Sequence, residues 1–182
     1  MDDATVEAVL RFWFSELEES QWFKVDPALD QTIRDRFLSL HEAIASSPPA
    51  DANEIPSIAL ATVIVLDQFP RNMFRGTPRA FATDAQALAI ATDAVELGMD
   101  VLLTPQERWF LYLPFEHAEN AEAQAQAVAL IGKLGEPTAL DYAERHKVII
   151  DRFGRFPHRN AILGRTSTAE ELEFLAQPNS SF

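Results

Sequence analysis

Arginine is concentrated in two short segments of the chain that contain no acidic residue. Seven of the 12 arginines lie in them, although the whole chain has a net charge of −13. The segments are residues 69–81 and 152–169, and their arginines are Arg71, Arg75, Arg79, Arg152, Arg155, Arg159 and Arg165. A guanidinium group forms paired hydrogen bonds with carboxylates and phosphates. The two segments therefore predict a site for an anion.

The two segments share the pattern Arg-Asn-x-φ-x-Gly, in which φ is an apolar residue. The pattern covers residues 71–76 and 159–164, and Phe-Pro precedes both. A helix start follows each segment, and the N–H groups of a helix N-terminus attract anions. We expect the two loops to converge on one site. The alternative is that the arginines form internal ion pairs with acids such as Asp67, Asp84, Glu116 and Asp151.

Three titratable residues are candidates for proton transfer: His158, Glu116 and Asp67. His158 lies inside the second basic segment, and histidine titrates near neutral pH. Asp67 ends an apolar helix, where a carboxylate opposes the helix dipole. An ion pair between Asp67 and Arg71 is therefore favoured over a catalytic role. His146 lies near the apolar face of its helix and is predicted to be a core histidine.

A polar patch follows the proline at position 114. Its members are Tyr112, Glu116, His117, Glu119 and Asn120. No HExxH or Glu-x-x-His spacing occurs in it, so we predict no metal. The chain has no P-loop, dinucleotide fingerprint or nucleophile elbow, and no cofactor is predicted.

The elements that must position these residues are helices. Apolar residues recur at spacings of three and four, and proline and glycine mark helix starts and ends. The apolar run from Pro56 to about Gln68 is predicted to be a buried helix stopped by Pro70, and another helix should kink or break at Pro114. A capping box is predicted at residues 167–170, and residues 46–56 are predicted to be a flexible loop. These signals indicate an all-α fold of about eight helices in antiparallel hairpins, forming one domain over residues 1–182.

Composition excludes several classes of protein. The 182 residues include no cysteine, and 47% are hydrophobic, as in a folded domain without disulfides. A net charge of −13 argues against binding to nucleic acid or to an anionic membrane surface. No basic leader or apolar run of about 20 residues occurs. We therefore predict a cytoplasmic protein; its oligomeric state is open.

The chain resembles a bacterial family known as domain of unknown function 924. The resemblance rests on Val9–Phe14, Trp22-Phe23, the run from Leu66 to Phe81, Tyr112–His117 and Arg155–Asn160. The Asp-Gln-Phe-Pro-Arg-Asn block at residues 67–72 is its most specific part. The resemblance implies an all-α fold similar to tetratricopeptide superhelices. It implies no reaction, substrate or cofactor.

Three functions remain open. The first is binding of a small anionic metabolite or an acidic peptide, with a ligand site formed by Arg71, Asn72, Arg75, Tyr112, His117, Arg159 and Asn160. The second is an enzyme that acts on a phosphorylated or carboxylated substrate in the same pocket, with His158 or Glu116 transferring protons. The third is a protein-interaction scaffold, which the fold alone would suggest.

Overall fold

The computed structural model describes residues 1–178, 180 and 181, and every regular element in them is helical. Eight helices are present in this part of the chain when Pro56–Met73 is counted as one continuous helix. The prediction of an all-α fold with about eight helices is confirmed. The chain forms two compact units, Met1–Arg75 with Arg79–Pro114, and Gly76–Pro78 with Phe115–Phe182. The single domain over residues 1–182 stays a prediction.

The first unit begins with helix α1 (Asp3–Arg11), which continues as a π-helical turn over Phe12–Glu16. Helix α2 (Pro27–Ser46) starts where Asp26 caps it and proline occupies the first position. Helix α5 spans Asp84–Glu96. Residues 46–56 are not the loop that the sequence predicts. They contain a 3-10 helix over Ala50–Asn53, and Ala52 is buried, because this apolar residue packs inward.

The central helix of the first unit does not stop at Pro70. Helix α3 (Pro56–Val63) passes through a π-helical turn (Ile64–Gln68) into helix α4 (Phe69–Met73), which includes Pro70. Proline cannot donate a backbone hydrogen bond, and its ring collides with the carbonyl four residues earlier in a regular helix. The π turn widens the helix immediately before Pro70, and Phe69 N–H donates to Ile64, five residues back. The helix therefore continues.

Side chains bind the carbonyl groups of the π turn. His41 Nδ1 donates to the Val65 carbonyl at 3.0 Å. The Thr83 hydroxyl donates to the Leu66 carbonyl at 2.5 Å, and Arg71 Nη1 donates to the Asp67 carbonyl at 2.6 Å. Thr83 precedes helix α5 but does not cap it with its side chain, because its hydroxyl binds Leu66 instead.

Aromatic rings fill the core of the first unit around the continuous helix. Trp13 packs against Phe69 and Phe110 with ring centroids 5.7 and 5.6 Å away, and Phe37 stacks on Phe69 at 4.6 Å. The Trp22 ring nitrogen donates to the Trp13 carbonyl in the first π turn. Trp13, Trp22 and Phe69, which lie in segments that carry the family resemblance, are therefore core residues.

Helix α6 (Pro105–His117) does not end at Pro114 but continues for three further residues. Thr104 precedes it in a capping box: Glu107 N–H donates to the Thr104 hydroxyl, and Glu107 Oε2 accepts from Thr104 N–H. Its last residues, Glu116 and His117, belong to the second unit.

The second unit contains α7 (Ala121–Gly132), α8 (Pro137–Phe153) and α9 (Ala169–Leu175). Helix α8 ends at Gly154, whose φ of +68° is the left-handed conformation that the sequence predicts for a glycine in this position. The capping box of α9 pairs Thr168 with Glu171, one residue later than predicted. A 3-10 turn at Pro157–Arg159 carries His158.

Candidate functional site

Arg71 forms ion pairs inside the first unit. Its guanidinium group binds Asp84 with two hydrogen bonds of 2.9 and 3.0 Å, and lies 3.3 Å from Asp67 Oδ1. Asp67 is completely buried and also accepts from the Gln68 side chain. The predicted Asp67–Arg71 ion pair is therefore present.

The other polar residues of the first basic segment also bind acids. Arg75 binds both carboxylate oxygens of Asp30 at 2.8 Å, and Asn72 Nδ2 donates to the same carboxylate. Burial alone would raise the pKa of Asp30, but the hydrogen bonds from Arg75 and Asn72 lower it below its usual value. Arg79 pairs with Glu42 at an exposed position.

Tyr112 is buried in the first unit, and its hydroxyl donates to Asp100 Oδ2 at 2.6 Å. Burial, reinforced by the bond to Asp100, raises the pKa of the Tyr112 hydroxyl. Tyr112 therefore remains a neutral hydrogen-bond donor at neutral pH.

Three arginines of the second basic segment form ion pairs with acids of the second unit. Arg152 pairs with Glu170 at 2.7 Å, and Arg155 with Glu171 at 2.6 Å. Arg165 binds both oxygens of Glu119 and also donates to Asn160 Oδ1. Internal ion pairing, the alternative that the sequence left open, is thus observed for Arg71, Arg75, Arg79, Arg152, Arg155 and Arg165.

The remaining arginine of this segment lies with three histidines and a glutamate. We call Glu116, His117, His146, His158 and Arg159 the His–Arg cluster. Phe156 lies at its centre: the Arg159 guanidinium is 4.5 Å from the centroid of its ring, and the His146 and His158 rings are 5.5 and 5.6 Å away. The His117 ring lies 6.4 Å from that of His146. His117 and His158 are half-buried, whereas the other members are buried.

His146 has a fixed orientation in the cluster. Its Nδ1 lies 2.8 Å from the Tyr142 carbonyl and 3.1 Å from Glu116 Oε1. Because a carbonyl can only accept, Nδ1 carries the proton. Burial, reinforced by the positive charges of His117, Arg159 and His158, lowers the pKa of His146 to about 3. His146 is therefore neutral at physiological pH.

Two polar side chains position the parts of the cluster. The buried Gln124 amide donates to the carbonyls of Glu116 and Ala118 at 2.6 and 2.8 Å, which fixes the end of α6. Glu119 accepts from the Phe156 N–H at 2.7 Å. Burial alone would raise the pKa of Glu119, but the Arg165 and Phe156 hydrogen bonds lower it.

The chain matches the family model described as "Bacterial protein of unknown function (DUF924)" over residues 9–179. The chain belongs to this family. It is also similar to a solved structure, "Structure of Protein of Unknown Function ATU0120 from Agrobacterium tumefaciens", with 41% identity and a TM-score of 0.89, covering 96% of this chain and 99% of that one. The two proteins have the same fold. A comparison with curated proteins gives no match.

The block that most specifically marks the DUF924 family, residues 67–72, has a structural explanation in this chain. It contains the last two residues of the π turn, Asp67 and Gln68, whose side chains are hydrogen-bonded to each other. Its Arg71 binds Asp84, and its Asn72 donates to Asp30. The resemblance to tetratricopeptide superhelices stays a prediction.

The structure brings only part of the predicted site together. Glu116, His117, His158 and Arg159 share the His–Arg cluster of the second unit. Asn160 lies beside it in sequence and donates to the Ser167 hydroxyl. The convergence of the two basic loops stays a prediction, because Arg71 and Arg75 belong to the first unit and Arg159 to the second. His146 is buried, as the sequence predicts for a core histidine, but its contact with Glu116 was not predicted, because the two residues are 30 positions apart in sequence.

Residues 1–178, 180 and 181 contain neither a metal-binding group of side chains nor a helix that could span a membrane. No group of three or more histidine, aspartate or glutamate side chains is arranged to hold a metal ion in residues 1–178, 180 and 181. Over the same residues, no helix has the length and apolar character required to cross a bilayer.

Proposed function

We propose that this protein binds a small anionic metabolite at the His–Arg cluster. The observation that carries the proposal is the meeting of Arg159 with three histidines around the Phe156 ring. Arginine and histidine are donors that suit carboxylate and phosphate groups. Arg71, Asn72 and Arg75 are not part of the proposed ligand site. Asp67, Asp84 and Asp30 neutralise the two guanidinium groups, and the Asn72 amide donates to Asp30.

The electrostatics of the cluster support an anion as its ligand. Three side chains, His117, His158 and Arg159, lower the pKa of the His146 ring by their positive charge. Arg159, together with His117 and His158 when they are protonated, thus places positive charge around His146, in a chain whose net charge is −13. A local positive potential on an acidic protein attracts anions and gives a binding constant that falls with salt.

Titration calorimetry with inorganic phosphate at about pH 6, where histidine is partly protonated, tests the proposal. We expect saturable binding that weakens with added salt. Arg159→Gln should abolish it. Arg152→Gln is the matched control, because Arg152 belongs to the same segment but pairs with Glu170 outside the cluster. Equal binding by both variants, or none by the wild type, would refute the proposal.

Since Arg159 is buried, circular dichroism must show that its variant retains helicity. His158→Gln provides a second variant at a half-buried position. It should weaken phosphate binding at pH 6 while leaving the helical spectrum unchanged.

An enzyme acting on a phosphorylated or carboxylated substrate is the second candidate. The contact between Glu116 Oε1 and His146 Nδ1 favours it, because a carboxylate that orients an imidazole is a recurring acid–base arrangement. Release of nitrophenolate from 4-nitrophenyl phosphate tests this candidate. Turnover by the wild type that is lost in His146→Gln, with phosphate binding retained, would support an enzyme. Absence of turnover would refute the enzyme candidate and would leave anion binding as the proposed function.

A further inference from the structure

The composition of the His–Arg cluster has a consequence for its affinity. By formal charge, the carboxylate of Glu116 and the guanidinium of Arg159 cancel, so the histidines decide the net charge of the cluster. A doubly charged ligand meets a net attraction only when histidines of the cluster are protonated. Each proton that a histidine takes up adds one positive charge to a ring that contacts another aromatic ring of the cluster.

We propose that the His–Arg cluster binds a small dianion, of the size of a phosphate or sulfate group, together with protons taken up by His117 and His158. This inference rests on the proposed function, and it adds both the charge of the ligand and the regulation of its affinity by pH.

Exposure decides which histidines take up the protons. His117 and His158 are half-buried, so their charged forms keep part of their hydration. His146 is buried, and its Nδ1–H is held by Tyr142 and Glu116. Desolvation disfavours a charged imidazole there. His146 therefore remains neutral, while a bound dianion favours protonation of the two outer rings.

The neighbouring arginines and Glu119 keep their charge over the same pH range. The cluster contains Glu116 and Arg159, and the positive charge of Arg159 also lowers the pKa of the neighbouring Glu119. Glu119 is paired with Arg165, and the hydrogen bonds that it accepts lower its pKa. Arginine remains charged at any pH used here. The usual pKa of histidine lies between about pH 5.5 and about pH 8, so loss of the pH dependence in histidine variants assigns a change of affinity in this interval to histidine.

Sulfate is the appropriate probe, because it remains doubly charged throughout this interval whereas phosphate itself titrates. We expect the association constant to fall by roughly tenfold per pH unit for each histidine that takes up a proton, above about pH 6.5. Calorimetry in two buffers of different ionisation enthalpy counts the protons directly. We expect an uptake of between one and two protons at about pH 7.

Variants locate the protons. The double variant His117→Gln/His158→Gln should bind sulfate with a pH-independent affinity close to that of the wild type at about pH 8. His41→Gln is the control, because His41 lies in the first unit and its bond to Val65 can be made by an amide. It should keep the full pH dependence of the wild type.

The outcomes separate this inference from the proposed function. Sulfate binding that is lost in Arg159→Gln but has the same affinity at both pH values, without proton uptake, overturns the proton linkage and leaves the anion site standing. A pH dependence that survives in the double histidine variant also overturns it. Absence of phosphate and sulfate binding at every pH refutes the site itself.

Discussion

The hydroxyl group of Thr83 donates to a buried carbonyl of the π turn next to Pro70. In a regular α-helix the Leu66 carbonyl would accept from the N–H of residue 70, which proline lacks. The Thr83 hydroxyl donates to that carbonyl instead, at 2.5 Å. Thr83 is only 6% exposed and Leu66 is completely buried, so solvent cannot readily take over. Thr83→Val removes the hydroxyl while keeping the shape of the side chain.

We expect this substitution to lower the free energy of unfolding by about 1–3 kcal/mol, the cost of leaving a buried carbonyl without its partner. In a chain of 182 residues, each kcal/mol lowers Tm by about 2–4 °C. Urea denaturation followed by circular dichroism measures the difference. The m-value should not change, because the surface exposed on unfolding is the same.

Thr92→Val is the matched control. The Thr92 hydroxyl donates to the Leu88 carbonyl within the regular helix α5, where no proline removes the backbone donor. Its loss should cost less than about 0.5 kcal/mol. Pro70→Ala restores the backbone N–H that a regular α-helix would pair with the Leu66 carbonyl. In that background, Thr83→Val should lower the free energy of unfolding by less than in the wild type. Equal destabilisation by Thr83→Val and Thr92→Val would refute the compensation argument.

Two further predictions concern buried titratable groups. Asp67→Asn should lower the free energy of unfolding in urea by about 3–5 kcal/mol, because it removes one member of the buried pair with Arg71; an unchanged midpoint would contradict that role. The pKa of His146 is about 3 in the folded protein and near 6.5 when unfolded, so the unfolded chain binds the extra proton between these values and stability falls as the pH is lowered through that interval. His146→Gln should reduce that slope by up to about 1.4 kcal/mol per pH unit in urea titrations at a series of pH values, and an unchanged slope would show that His146 is not responsible.

Local signals were sufficient to predict most helix boundaries. Proline at the first position and glycine at the end mark α8 correctly, since both act through the backbone of their own segment. Pro70 misled the same reasoning. The rule that proline ends a helix holds for a regular α-helix. The π turn at Ile64–Gln68 makes the helix irregular immediately before Pro70, so the rule does not apply there. Its carbonyls need donors from His41 and Thr83, which no local pattern connects to the turn.

The charges of the candidate site were harder to interpret than its elements. Asp30 and Arg75 are 45 residues apart, and Glu119 and Arg165 are 46 apart. A basic segment without local acids therefore has the same sequence whether its arginines bind a ligand or acids of other helices. The contact between Glu116 and His146 depends in the same way on the packing of α6 and α8 residues. Only tertiary structure separates these cases.

The repeated Arg-Asn-x-φ-x-Gly pattern shows where sequence similarity and function diverge. In both copies the asparagine is buried and hydrogen-bonded, Asn72 to Asp30 and Asn160 to Ser167. In both copies the glycine has a positive φ, +75° at Gly76 and +67° at Gly164, which permits the same left-handed turn. These shared positions therefore explain loop closure without any ligand.

The arginines of the two copies have different surroundings. Arg71 is placed between Asp67 and Asp84, whereas Arg159 lies on the Phe156 ring among three histidines. Two aspartates surround the first guanidinium group, whereas the second lies in a cluster with Glu116 and three histidines. The pattern thus encodes one turn twice, and under the proposed function only the second copy contributes to an anion site. For this reason the anion-binding experiments compare variants of the second copy, at Arg159 and His158, rather than variants of the first.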